Sequence, residues 1–148
     1  MLRVVIATLL LLPAFFVKAN AGSSLEEPVF SSKDPRAWVV MVTQPGCSFC
    51  VRLETEILQP LRASNLFKEK VRFTAVDIGA AIPMTDFDGT RTTTIEFANR
   101  YPGFRTPTLL LLDSDGEVLA EPKFGVPDII DFYAYEIEET IRSLPAVN

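Results

Sequence analysis

The chain has 148 residues, two cysteines, no histidine, eleven prolines and a formal charge of −5. That length fits one domain with a real core and is too short for two independent catalytic domains. The acidic balance argues against a nucleic-acid binder, and the lack of histidine excludes histidine-based triads and histidine-rich metal sites.

Met1-Leu2-Arg3 followed by the apolar run Val4 to Phe16 has the layout of a positive n-region and a short h-region, and Ala19-Asn20-Ala21 supplies an A-x-A cleavage site. The run is shorter than the roughly 20 residues that span a bilayer, and it contains Pro13. Residues 1–21 therefore read as a cleaved signal peptide, with no stable membrane insertion after cleavage. No cysteine lies near the cut, which argues against a lipid-anchored mature form. Cleavage would remove Arg3 and Lys18 and leave a still more acidic chain. The expected localisation is the periplasm or the exterior, where disulfides form and persist.

Residues 22–35 are polar, with Ser23-Ser24, Glu26-Glu27 and Ser31-Ser32, and read as a leader or linker ahead of a single domain over 36–148. Trp38 to Val42 is a continuous apolar run rich in β-branched residues, stopped by Gln44-Pro45-Gly46, as expected of a central strand covered on both faces. From Cys47 the spacing becomes helical, with Val51, Leu53, Ile57, Leu58 and Leu61, and Pro60 must kink or end the regular part. Val71 to Ile78 predicts a second strand. Gly79 to Thr90, containing Asp88-Gly89, reads as an irregular excursion, and Thr92 to Tyr101 as a short helix ended by Pro102-Gly103.

After Thr106-Pro107, the run Thr108 to Asp113 predicts another buried strand. Asp115-Gly116 then suggests a hairpin into Glu117-Val118-Leu119-Ala120. A final amphipathic helix over Asp128 to Ser143 offers Ile129, Ile130, Phe132, Tyr133, Ile137 and Ile141 to the sheet. The order β, α, β, α, β, β, α predicts an α/β fold with a mixed central sheet and helices on both faces.

Cys47-Ser48-Phe49-Cys50 is the only cysteine pair, and it sits where a buried strand hands over to a helix. A helix start offers unpaired N–H groups and partial positive charge, both of which stabilise a thiolate on Cys47. Cys50, one turn on, is placed to attack a mixed disulfide formed at Cys47. Cys47 is thus the candidate nucleophile and Cys50 the candidate resolving thiol. Zinc needs about four ligands, and only carboxylates could complete such a set here. Covalent haem attachment needs a histidine where Val51 stands. A purely structural disulfide is the main alternative, but so short a loop contributes little chain-entropy stabilisation. No cofactor or metal is expected.

The cysteine pair after a buried strand, the Tyr101 to Pro107 segment, Thr106-Pro107-Thr108 opening a strand, the Asp115-Gly116-Glu117-Val118 turn and Gly125 before a last helix together resemble the thioredoxin family from about residue 36 to the end. Within it, Gln44-Pro45-Gly46-Cys47, Glu56-Ile57 and the Asp88-Gly89 insertion resemble the exported thioredoxin-like proteins of sulfur-oxidation operons, the SoxW and SoxS type. The resemblance implies a cis Thr106–Pro107 bond with Pro107 beside the cysteine pair, which would free the Thr106 backbone to pair with an extended substrate segment. Phe49 either contacts substrate or folds back onto the core.

The resemblance further implies a thiol-disulfide oxidoreductase acting on protein disulfides and recharged by a membrane thiol-transfer protein of the DsbD or CcdA type. Phe49 stands where strongly oxidising members often carry histidine, which points to a reductant. Three positions depart from the family pattern: Gly46 replaces a tryptophan, Ser48-Phe49 replaces Gly-Pro, and Met41 replaces the buried acid six residues before the nucleophile. Deprotonation of Cys50 then falls to Glu54, Glu56 or water, while Asp77 reads as a turn or cap residue. The rival readings are a binding module with a permanently closed disulfide and a thiol peroxidase, although no threonine and arginine cluster precedes Cys47.

Overall fold

A computed structural model describes residues 30–103 and 105–144. The expected signal peptide and cleavage site lie outside the described residues, as does the part of the leader before residue 30. A four-stranded sheet has the spatial order Val71–Asp77, Ala37–Thr43, Thr108–Leu112, Lys123–Phe124. β1 (Ala37–Thr43) runs parallel to β2 (Val71–Asp77) and antiparallel to β5 (Thr108–Leu112), and β5 pairs antiparallel with the short β6 (Lys123–Phe124). The sheet is therefore mixed, as its sequence order predicts.

The unbroken apolar stretch of β1 follows from its central place, because alternate side chains enter different cores. Ala37, Val39 and Met41 pack with Leu53, Ile57, Leu58 and Leu61 on one face, where Tyr133, Ile137 and Ile141 of α4 (Ile130–Ser143) join them. Trp38, Val40 and Val42 pack on the other face with Phe97 and Ala98 of α3 (Thr94–Asn99).

The helical stretch after Cys47 runs as α1 (Ser48–Leu53), a π turn (Glu54–Leu58) and α2 (Gln59–Ala63). Pro60 falls in the first turn of α2, where its missing N–H matters least. The π turn prepares that position: the Gln59 N–H reaches back five residues to the Glu54 carbonyl, loosening the backbone just before the proline ring. The kink or stop expected at Pro60 is thus a local change of helix type.

Four details differ from the sequence expectation. Phe30, within the stretch expected to be a linker, is 2% exposed. It stacks on Phe97 at 4.8 Å and Phe87 at 4.4 Å and meets the edge of Trp38 at 4.9 Å. The core therefore begins before residue 36, because an aromatic cluster needs no periodic pattern to recruit one further ring.

The excursion over 79–90 also contains structure. β3 (Pro83–Thr85) pairs with β4 (Arg91–Thr93) as a small hairpin. Thr92 and Thr93 are consequently extended, and α3 starts only at Thr94, where Thr93 and Glu96 form a reciprocal capping box.

The Asp115-Gly116 turn does reverse the chain, with the Gly116 N–H donating to the Asp113 carbonyl at 3.2 Å. The strand expected over 117–120 reduces to a single bridge between Leu112 and Val118. Regular pairing resumes at Lys123 opposite Leu109, two residues out of the earlier register. Pro122 between them has no N–H to place in a ladder. Finally, α4 begins at Ile130, and Ile129 and Phe132 are 72% and 60% exposed rather than packed on the sheet. Tyr133, Ile137 and Ile141, spaced by four, take the inward face, and Phe132 is rotated about 100° away from them.

Candidate functional site

The site lies at one end of the sheet. Thr43, the last residue of β1, is in register with Asp77 of β2, and Val42 with Thr108 of β5. The 44–46 turn, the loop after β2 and the Thr106-Pro107 segment therefore emerge together. Gly46 has φ 77°, a left-handed conformation most accessible to glycine, and directs the chain into Cys47.

Cys47 is the N-cap of α1, and its Sγ accepts the Cys50 N–H at 3.1 Å. Its carbonyl accepts the N–H groups of Cys50 and Val51 at 3.1 and 3.2 Å. The two cysteines form a disulfide with Cα atoms 5.2 Å apart. Cys47 is partly exposed, whereas Cys50 is 3% exposed. An incoming disulfide can thus reach Cys47 but not Cys50, which is the access order required of nucleophile and resolving thiol. The N–H already directed at Cys47 Sγ is also a donor suited to a thiolate there.

An open cleft of about 560 Å³ borders the pair, running from Gly46 and Ser48 to the buried Met41 and Cys50 and reaching Glu54 and Ala75. Phe49 is 56% exposed, so its ring is available to a partner and does not fold back onto the core. The Thr106–Pro107 bond is cis. Pro107 is buried, and its carbonyl accepts the Gly125 N–H at 2.9 Å. The Thr106 N–H and C=O form no hydrogen bond among the described residues, leaving one backbone donor and one acceptor for an added extended segment.

The acidic candidates separate clearly. Glu56 is exposed and pairs with Arg52 at 3.3 Å. Asp77 accepts the Gly79 N–H at 2.7 Å and acts as a turn residue, as its position at a strand end suggests. Glu54 is the acid that reaches the cleft, with a side chain 12% exposed and Oε1 3.4 Å from Arg62 Nη2. Among the described residues no group of three or more Cys, Asp or Glu side chains converges as a metal site.

One supporting residue escaped the sequence reading. Gly79 lies against the Pro45 ring, so a Cβ there would come within 2.9 Å of Pro45 Cγ and overlap Cδ. Its only sequence signal is a small residue just after a strand, which many loops share.

A thioredoxin-like domain family matches residues 29–128. The chain belongs to that family. The match starts one residue before Phe30, in keeping with the burial of that ring. Two solved structures share the thioredoxin-like fold. A thioredoxin-fold protein from Helicobacter pylori aligns over 80% of this chain and 78% of its own, with a TM-score of 0.55 and 17% identity. A DsbH oxidoreductase aligns over 76% and 78%, with a TM-score of 0.54 and 17% identity. No curated protein matches the sequence. The thioredoxin-like fold and its closed, CxxC-spaced pair are together consistent with thiol-disulfide oxidoreductase chemistry.

Proposed function

We propose that the protein is an exported thiol-disulfide oxidoreductase that reduces protein disulfides through a Cys47/Cys50 cycle. The carrying observation is the unequal access of the two sulfurs, with Cys47 partly exposed at a helix start and Cys50 buried behind it. In the reduced protein a Cys47 thiolate attacks a substrate disulfide, forming a mixed disulfide and releasing one substrate thiolate. Cys50 then attacks Cys47 Sγ, the second substrate thiolate leaves, and the protein is left oxidised. The exposed Phe49 and the unpaired Thr106 backbone beside cis Pro107 supply the substrate contacts.

The likeness to the SoxW and SoxS type, the n-region and h-region at the start of the sequence, and Phe49 in place of histidine support an exported reductant recharged by a membrane thiol donor of the DsbD or CcdA type. Cys47→Ser abolishes disulfide exchange if this reading holds, and unchanged activity ends it. Cys50→Ser accumulates the mixed disulfide and identifies the substrate. A reduction potential near the oxidant end of the family, about −120 mV, would reverse the direction.

A further inference from the structure

Resolution of the mixed disulfide requires the Cys50 thiol to lose its proton, and burial at 3% exposure works against forming the thiolate. Water alone is a poor proton acceptor near neutral pH. The strand position that the family resemblance associates with a buried acid carries Met41, which cannot accept a proton, and Met41 lines the cleft beside the pair. Apart from the cysteines, Glu54 is the one ionisable side chain lining that cleft among the described residues.

Glu54 is built into this place by the helix. It stands four residues after Cys50, and its N–H donates to the Cys50 carbonyl. Residues at this spacing share a face, with Cβ atoms about 5–6 Å apart, which a glutamate side chain can cover. The carboxylate is unevenly satisfied: Oε1 has Arg62 Nη2 at 3.4 Å, while Oε2 is buried with no hydrogen-bond partner among the described residues. An unpaired buried carboxylate oxygen is a costly arrangement that calls for an explanation. A proton-accepting role supplies one. Glu56, the other acid on this stretch, is exposed and held by Arg52.

We infer that Glu54 is the general base for Cys50, receiving the thiol proton as Cys50 Sγ attacks Cys47 Sγ. The bond between Cys47 and the substrate sulfur breaks, the substrate departs as a thiolate, and the proton on Glu54 passes to that thiolate or to solvent. No external oxidant or reductant enters this step. The inference rests on the redox cycle proposed above.

The test separates the two steps. Reduced protein is mixed with oxidised glutathione, quenched with acid at intervals, and the Cys47–glutathione adduct is followed by mass. Glu54→Gln leaves adduct formation at the wild-type rate, which also reports an intact fold. It slows adduct resolution by about 10²-fold at neutral pH, the usual contribution of a positioned base. The remaining rate climbs with hydroxide concentration, formate restores the rate in Glu54→Ala, and Glu56→Gln resolves normally. A purely electrostatic Glu54 predicts the opposite sign, because removing a buried negative charge favours the Cys50 thiolate and speeds resolution. Resolution at or above the wild-type rate in Glu54→Gln, with normal adduct formation, overturns the inference and leaves the redox cycle standing. Failure of Cys50→Ser to form any adduct removes the redox cycle, and this inference with it.

Discussion

Gly79→Ala couples the exposed loop after β2 to the turn before Cys47 with a sign that can be worked out beforehand. Gly79 does not occupy the left-handed region, so alanine is compatible with its backbone. On that ground alone the substitution would stabilise the fold by about 0.4–1 kcal/mol through the unfolded chain. The new Cβ, however, overlaps Pro45 Cδ and lies 2.9 Å from Cγ, whereas carbon contacts relax near 3.5–4.0 Å. The rigid ring must retreat by about 1 Å, and because both residues are exposed the cost falls at the low end of the about 1–3 kcal/mol known for overpacked cores. The net expectation is destabilisation by up to about 1 kcal/mol, measured by urea unfolding with an unchanged m-value. Because Pro45 stands two residues before Cys47, the rate of Cys47 attack on oxidised glutathione should fall as well. A variant that is more stable than the parent and exchanges at the parental rate would refute the argument, since only the close approach to Pro45 reverses the sign.

Phe30→Ala should cost about 3–5 kcal/mol, the range for a buried phenylalanine. The fluorescence of Trp38, the sole tryptophan and fully buried, reports it. Phe49→Ala should change stability by less than about 0.5 kcal/mol while raising KM for a protein disulfide, and unchanged KM would remove Phe49 from the contact surface. Burial raises the hydroxyls of Tyr101 and Tyr133 from 10.0 to about 12. Their contribution is complete below pH 10 and is lost as pH rises from 10 toward 12, on the order of 2 kcal/mol each, and tyrosinate absorbance read with stability checks this. Hydrogen bonding from Arg36, with further help from Arg72, lowers Asp34 from 3.8 to about 2. That contribution is present above about pH 4 and is lost as pH falls toward 2. Allowing for solvent screening it amounts to about 1 kcal/mol, and Asp34→Asn should abolish this acid-side slope.

The pairing of the two cysteines was the most legible part of the sequence. Cysteines three residues apart after a buried strand occupy one helical turn, so local spacing alone brings both sulfurs together. The two-sided burial of β1 was equally readable from its unbroken apolar run. Elements with weak local signals were not. β3 and β4 are three residues each, too short for periodicity to show. Residues 117–120 follow a good turn signal, but pairing narrows to one bridge at Val118 and resumes in a shifted register only after Pro122.

By itself the sequence determined the β1–turn–Cys47 order, the mixed-sheet class and the disulfide-forming pair, because strand period, helical spacing and turn residues act over a few neighbours. Only tertiary structure decided which sulfur is reachable, which glutamate faces the cleft, that Phe30 belongs to the core and that Gly79 must stay bare beneath Pro45. The places of Phe30 and Gly79 depend on contacts between residues far apart in the chain, and no local pattern encodes the distance between them.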